Sequence, residues 1–174
     1  MKFLSVILFV VSFGSLADET KYSLLDDKLH LAISTELELL SEDLLLKRFG
    51  HQKVLPYAAF SDDEMSATFT ITQFPTPANK QSMKKLRKAI SNMLRKSNPK
   101  VEWKKDKLTS LSDTRAGIYE YESDGVGKYA YNITYALPVN DQLTFITFLT
   151  TNKKFKTKWR DIARNAFDSI EVTD

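Results

Sequence analysis

Two histidines are the side chains of this sequence that ordinarily titrate near neutral pH and can act as general bases. His30 stands within an alternating strand pattern, and His51 follows a glycine that ends a predicted helix. Neither has a partner at the spacing of a catalytic triad or a metal site. The chain contains no cysteine and no G-x-S-x-G, H-E-x-x-H, Walker-loop or G-x-G-x-x-G motif. We therefore predict no catalytic residue, no metal site and no cofactor, and hence a protein that is not an enzyme.

Two groups of carboxylates are the next candidates for chemistry. The acidic run 62–64 could hold a hard cation, but it lacks the spaced ligands and the glycine of a calcium loop. Glu120 and Glu122 share one face of a predicted strand, whereas a glycosidase needs two carboxyl groups that converge across a cleft. We interpret the run 62–64 as a solvated turn and the two glutamates as part of a polar sheet face.

Five tyrosines fall on two neighbouring predicted strands. Strand alternation places two of them on one face of the first strand and three on one face of the second. They could form a platform for a small ligand or sugar, or a core layer beneath a helix with the hydroxyl groups at its rim. We favour the core, and a ligand face is the alternative. The residues are Tyr119, Tyr121, Tyr129, Tyr131 and Tyr135.

One predicted helix lies in a segment of concentrated positive charge. Residues 80–107 include eleven basic and two acidic side chains, in a chain whose overall net charge is +3. Lys84 and Lys88 lie four residues apart on one helix face, and Arg95 continues that line. Nucleic acid is the usual partner of such a patch. Residues 1–17 also predict export, however, and an exported protein seldom meets nucleic acid. Another envelope protein or an anionic membrane surface is therefore the partner we predict, and a solvated helix face is the alternative.

Residues 1–17 have the features of a secretory signal peptide. Lys2 precedes an apolar run of about eleven residues, whereas a membrane-spanning helix needs roughly 20. Ser15-Leu16-Ala17 places small residues at the two positions that a signal peptidase reads. We predict cleavage before Asp18 and a periplasmic or secreted mature chain, residues 18–174, that forms one domain. An uncleaved membrane anchor is the alternative, and the absence of cysteine argues against a lipid-anchored lipoprotein.

Apolar periodicity predicts the strands that position these side chains. Residues 18–27 are polar, and we expect them to be frayed. The run 101–111 is strand-like but highly charged, which is typical of an edge strand. The run 142–150 has large apolar side chains on both faces, which predicts a central strand covered on both sides. The strands are expected at 28–34, 54–60, 65–74, 101–111, 116–122, 128–137 and 142–150.

Three helices are predicted between and after these strands. Ser41 caps the first, which ends at Gly50 and makes its apolar contacts through Leu44 and Leu45. The run 75–77, Pro-Thr-Pro, breaks a strand, and we expect Thr76 to cap the second helix with Pro77 at its first position. Hairpin connections force antiparallel pairing, so the predicted fold is α+β: a mostly antiparallel twisted sheet of about six or seven strands with helices packed on both faces, an α/β/α sandwich. The buried stripes are Met83, Leu86, Ile90, Met93 and Leu94 in the second helix, and Phe155, Trp159, Ile162, Ala163, Ala166, Phe167 and Ile170 in the third.

This order of elements resembles a known superfamily. A first strand leads into the helical segment 40–50, LSEDLLLKRFG, and the chain closes with 158–163, KWRDIA, and 167–170, FDSI. Together with the hairpin, the basic helix and the meander between them, these segments resemble the PsbP/Mog-like α/β/α sandwich, in particular its small exported bacterial, DcrB-like branch. The resemblance implies a non-enzymatic accessory or binding protein and carries no functional residue with it. An immunity protein against a delivered toxin and a small-ligand binder that uses the tyrosines are the alternatives.

Overall fold

The computed structural model of the protein describes residues 8–9, 18–111, 113–125 and 128–173. In this part of the chain the helices are α1 (Glu42–Phe49), α2 (Met83–Ser97) and α3 (Lys156–Asp168). None of them has the length and hydropathy that crossing a membrane would require. The strands are β1 (Leu8–Phe9), β2 (Glu19–Leu24), β3 (Leu29–Ser34), β4 (Glu38–Leu39), β5 (Ala58–Ser61), β6 (Ala67–Pro77), β7 (Glu102–Leu111), β8 (Thr114–Gly125), β9 (Lys128–Val139), β10 (Gln142–Thr150) and β11 (Glu171–Val172).

A seven-stranded antiparallel sheet forms the centre of the fold, in the order β4-β5-β6-β10-β9-β8-β7. A smaller sheet, β1-β2-β3-β11, packs together with α3 against one face of it. Helix α2 packs against the other face, over β7, β8 and β9. The predicted α+β sandwich with helices on both faces is therefore confirmed, and the charged strand β7 lies at the edge of the sheet as expected.

The hairpin between β9 and β10 fixes the register of the central strand. Its turn residues Asn140 and Asp141 have φ angles of 51° and 55°, the left-handed conformation that a two-residue hairpin turn requires. β10 then lies between β9 and β6. Ile146 and Phe148 enter the core beneath α3, and Leu143 enters the core beneath α2. Because the alternation is strict, one turn decides which side chains face which layer.

Some expected boundaries at the N-terminal end are wrong. The segment that we expected to be frayed forms β2, which pairs along its length with β3 and buries Leu24. The polar residues of β2 hide this strand in the sequence, because only one of its faces packs on the core. β1 adds a two-residue antiparallel pairing to β2. It belongs to the predicted signal peptide, whose residues 1–7 and 10–17 lie outside the described part of the chain.

The start of α2 also differs from the expectation. β6 continues through the prolines to Pro77, because it pairs with β10 as far as Gln142. The turn before α2 is closed by Asn79 and Ser82: each side chain accepts a hydrogen bond from the backbone N–H of the other. These reciprocal bonds satisfy N–H groups that a helix start leaves free. Thr76 therefore does not cap the helix.

Three residues that we predicted to be buried are exposed. Met93 of α2 is 50% exposed, Phe155 before α3 is 47% exposed and Leu44 of α1 is 42% exposed. α1 is short and buries Leu45 alone among its residues. Phe155 lies at the N-cap position of α3, ahead of its packed turns. The exposure of Met93 follows from the rotation of α2 described below.

Candidate functional site

Asp106 of the edge strand β7 fixes the rotation of α2 on the sheet. Its carboxylate accepts hydrogen bonds from Arg87 Nη2 at 2.5 Å, Ser91 Oγ at 2.6 Å and Arg95 Nη2 at 2.9 Å. The guanidinium carbon of Arg95 also lies 4.3 Å from the ring centroid of Trp103. Burial raises the pKa of Asp106, but the bonds from Ser91 and Arg95 and the charge of Arg87 outweigh it, so the pKa is below its ordinary value.

The two arginines of α2 are therefore engaged within the protein. They turn one flank of the helix toward β7, which leaves the opposite flank, with Met93, open to solvent. Arg95, which we predicted to bind a partner, is half of an ion pair with Asp106. In the structure it connects α2 to β7 through Asp106 and Trp103, and its role in partner binding stays a prediction.

The lysines of α2 are arranged differently. Lys84, Lys85, Lys88 and Lys96 are exposed, and in the part of the chain that the structure describes none of them has a carboxylate partner. The first turn of the helix contains no acidic residue. Positive charge at a helix N-terminus opposes the helix dipole, and Lys84 and Lys88 repel each other one turn apart. We call this set of four lysines the basic face of α2.

The basic residues of α3 give a contrast, because three of them lie next to carboxylates of the sheet. Glu122 of β8 lies 3.2 Å from Lys156 and 3.7 Å from Arg160. Arg164 lies 3.9 Å from Glu120. These three basic residues are four positions apart and therefore form one helix stripe, which faces the carboxylates of β8. The basic stripe of α3 is thus paired with carboxylates of the same chain, whereas the basic face of α2 has no such partners among the described residues.

Glu120 and Glu122 lie in the layer between the sheet and α3, so the expectation of a simple polar sheet face was incomplete. The Glu120 side chain is 5% exposed, accepts a hydrogen bond of 2.7 Å from the Tyr131 hydroxyl and lies 2.9 Å from Lys105 Nζ. Burial raises its pKa, but Lys105, Tyr131 and Arg164 outweigh burial and bring the pKa below its ordinary value. Glu120 therefore connects β8 to β7 through Lys105, to β9 through Tyr131 and to α3 through Arg164.

The five tyrosines do not share one face of the sheet. Tyr119 belongs to the core beneath α2, and Tyr121 packs its ring against Trp103 on the same side. The other three belong to the core beneath α3 or pack against it, and the Tyr135 ring stacks on Phe167. Burial raises the pKa of four of the five: Tyr119, Tyr121, Tyr131 and Tyr135. This geometry agrees with the core interpretation that the sequence favoured.

The remaining candidates for chemistry are separated from one another. Asp62 accepts hydrogen bonds from the Ala67 N–H and the Ser66 hydroxyl, both at 2.7 Å, and so holds its turn together. His30 lies half-buried in β3, and His51 is exposed after α1. Within the described residues neither histidine side chain has a hydrogen-bond or ion-pair partner. The same residues contain no group of three side chains placed to hold a metal ion.

One feature of the α2 side was missed in the sequence. The half of the central sheet that α2 leaves uncovered presents Thr70 and Thr72 of β6 beside Thr147 and Leu149 of β10. We call these four residues the open strip. The expectation that β10 is covered on both sides therefore holds for its first half only, and Leu149 is 37% exposed. The alternating threonines of β6 are the signal that could have revealed it, because threonine suits a strand face in contact with water.

Comparison with known proteins identifies the fold. No family model and no curated protein matches the sequence. The cyanobacterial PsbP protein CyanoP of Synechocystis matches with a TM-score of 0.60 and 11% identity, over 94% of this chain and 99% of its own. The Ran-binding protein Mog1p of Saccharomyces cerevisiae matches with a TM-score of 0.57 and 7% identity, over 91% and 97%. LpqN of Mycobacterium tuberculosis, described as involved in cell envelope biogenesis, matches with a TM-score of 0.55 and 11% identity, over 98% of this chain and 92% of its own.

These matches cover nearly the whole chain, so the protein has a PsbP/Mog-like fold. The predicted resemblance is confirmed at the level of the fold. Identities of 7% to 11% carry no functional residue from those proteins to this one. The assignment to a DcrB-like branch stays a prediction.

Proposed function

We propose that the protein is a non-enzymatic binding protein of the cell envelope that docks on an acidic surface of another protein through the basic face of α2. The observation that carries the proposal is the difference between the two basic helices. The positive stripe of α3 is paired with Glu120 and Glu122. The lysines of α2 have no such partners among the described residues. Charge that the fold does not use is available to an external anion.

The electrostatic arrangement of α2 favours binding over helix stability. Lys84 and Lys85 stand in the first turn, where a carboxylate would stabilise the helix. An acidic surface approaching these lysines would relieve both the dipole conflict and the repulsion between Lys84 and Lys88. Exposed charges of this type act mainly on the association rate, and their effect falls as salt is added.

An acidic protein fits this surface better than a membrane. A helix that binds in a lipid interface needs a broad apolar face directed at the bilayer. The apolar face of α2 is already occupied, because Met83 and Ile90 pack on the sheet. Among the large apolar side chains of α2, Met93 is the exposed one. Two structural neighbours, a Ran-binding protein and a protein involved in cell envelope biogenesis, support a protein partner and an envelope location.

Charge reversal with a matched control tests this proposal. Lys84→Glu/Lys88→Glu removes positive charge from the basic face, whereas Lys53→Glu/Lys107→Glu makes the same change at two exposed lysines outside α2. Each protein is captured from the native envelope at low and at physiological salt, and co-purified proteins are quantified by mass spectrometry. We expect an acidic protein to be lost from the α2 variant and retained by the control. Equal recovery by both variants would remove the basic face from consideration.

The same preparation is tested on vesicles that contain phosphatidylglycerol. Binding to these vesicles that depends on the basic face, with no protein partner recovered, would replace the protein by an anionic membrane surface. We also propose that export removes residues 1–17. Intact-mass measurement of protein from the envelope fraction should then find Asp18 at the N-terminus, and a product that retains Met1 would contradict this.

A further inference from the structure

The central strands of the sheet are covered unequally on their two faces. On the α3 side, Phe69 and Ile71 of β6 and Ile146 and Phe148 of β10 are fully buried. On the α2 side, the same two strands present the partly exposed open strip. Helix α2 packs over β7, β8 and β9 and reaches β10 and β6 at Leu143, Phe145 and Phe74, which lie at one end of those two strands. The open strip lies toward their other end, outside this cluster. The open strip is therefore a sheet face in the middle of the molecule that no element of the described chain covers fully.

The flank of α2 that borders the open strip is apolar and exposed. Arg87, Ser91 and Arg95 all turn toward Asp106 on the outer side of the helix. Helical spacing then places Met93 on the opposite, inner flank, toward the open strip. Met93 and Leu149 are both large apolar side chains with more than a third of their surface in solvent. One such side chain within a sheet face and another at its border mark a contact surface more than a purely solvated one.

Positive charge lies on both sides of the open strip. Lys85 and Lys96 belong to the solvent side of α2, above the flank that carries Met93. Across the strip, the Arg48 guanidinium of α1 donates to Thr68 Oγ1 at 3.3 Å and to the Met65 carbonyl at 3.2 Å. In the described part of the chain Arg48 has no carboxylate partner. A segment lying in the open strip would therefore meet positive charge from two directions.

The floor of the open strip is polar and held in place. Thr147 Oγ1 lies 3.0 Å from the Thr134 hydroxyl, which in turn donates to Asn132 Oδ1 at 3.0 Å. The Thr70 hydroxyl donates to the Thr147 carbonyl. Threonine side chains are stiff at their first torsion, so they lose little freedom when a partner covers them. The floor can therefore accept the polar groups of a polypeptide.

We propose that the open strip is the seat of an acidic, amphipathic segment of the partner protein. Leucine-like side chains of the segment would cover Leu149 and Met93, and its carboxylates would pair with Lys85, Lys96 and Arg48. This assignment rests on the proposed function, because it specifies where on the α2 side the acidic partner lies. It adds a second requirement, apolar contact, to the charge of the basic face.

Two synthetic peptides of equal length and equal negative charge test the assignment. One alternates pairs of glutamate with pairs of leucine, and the other replaces every leucine by serine. Binding is measured by fluorescence anisotropy at low salt, and backbone amide shifts are recorded by NMR. We expect the leucine peptide to bind about tenfold more tightly. It should shift the amides of Thr70, Thr147 and Leu149, whereas the serine peptide should shift amides of α2 alone.

A neutral variant checks the contact without changing charge. Met93→Ser/Leu149→Ser should reduce the preference for the leucine peptide to near unity, and Leu55→Ser/Phe155→Ser is the control with exposed apolar residues outside the open strip. Equal binding of both peptides at α2 alone would contradict the proposed role of the open strip, whereas the proposed role of the basic face would stand. Failure of both peptides to bind at low salt would contradict the proposed function as well.

Discussion

Lys84→Glu should make the protein more stable while it weakens binding. Lys84 lies in the first turn of α2, which contains no acidic residue. The new carboxylate would favour the helix dipole by about 0.3–1 kcal/mol and would turn the repulsion with Lys88 into an attraction of about 0.2–0.5 kcal/mol. We therefore expect a gain of about 1 kcal/mol, which for a domain of this size raises the midpoint of thermal unfolding by about 2–4 °C.

Lys96→Glu is the matched variant because it makes the same charge change in the last turn of α2, where a basic residue is favourable. It should lower the thermal midpoint, by a smaller amount. Both variants should weaken partner binding. Differential scanning calorimetry at low and at high salt measures the stability difference, which salt should reduce. A loss of stability in Lys84→Glu that persists at high salt would show that Lys84 has a structural partner and would refute the reasoning.

Four further results are expected. Asp106→Asn should lower the free energy of unfolding by about 1–3 kcal/mol in urea titrations, because Arg87 and Arg95 lose a partly buried charged partner. The pKa values of Asp106 and Glu120 are lowered in the folded protein. The stability that these two ionised carboxylates contribute is therefore complete above their ordinary pKa values of 3.8 and 4.5, and it is lost as the pH falls through the lower pKa values of the folded protein. Asp106→Asn should make the loss of stability at acid pH less steep. Tyr131→Phe should cost about 1 kcal/mol, and screens with ester, glycoside, phosphate and peptide substrates should show no turnover that Glu120→Gln or His51→Ala abolishes.

The sequence predicts the elements whose signals are local. The two-faced apolar pattern of residues 142–150 places β10 between other strands, as observed. Ser41 caps α1 by accepting the Leu44 N–H, because an N-cap needs only residues within one turn. The charged run in β7 indicates an edge strand for the same reason, because the charged residues that are typical of an exposed edge belong to the strand itself.

The parts that the sequence could not predict depend on contacts between distant segments. In the sequence, Asp106 is one acidic residue in a segment rich in lysine. Only the packing of α2 on β7 shows that its carboxylate forms ion pairs with two arginines. The pairing of α3 with Glu120 and Glu122 spans more than thirty positions of sequence. Without knowledge of these ion pairs, the unpaired lysines of α2 cannot be distinguished from the paired basic residues of α3. The candidate site consists of lysines that no carboxylate of the described residues pairs with, and only the folded structure shows which positive charges are paired.

The salt dependence of the partner complex tests the central claim most directly. The association constant is measured for the captured acidic protein with the unmodified protein, with Lys84→Glu/Lys88→Glu and with the control Lys53→Glu/Lys107→Glu. We predict a steep loss of affinity with rising salt for the unmodified protein and the control, and a weak, nearly salt-independent affinity for the α2 variant. Identical affinities and identical salt slopes for all three proteins would contradict a docking role for the basic face of α2.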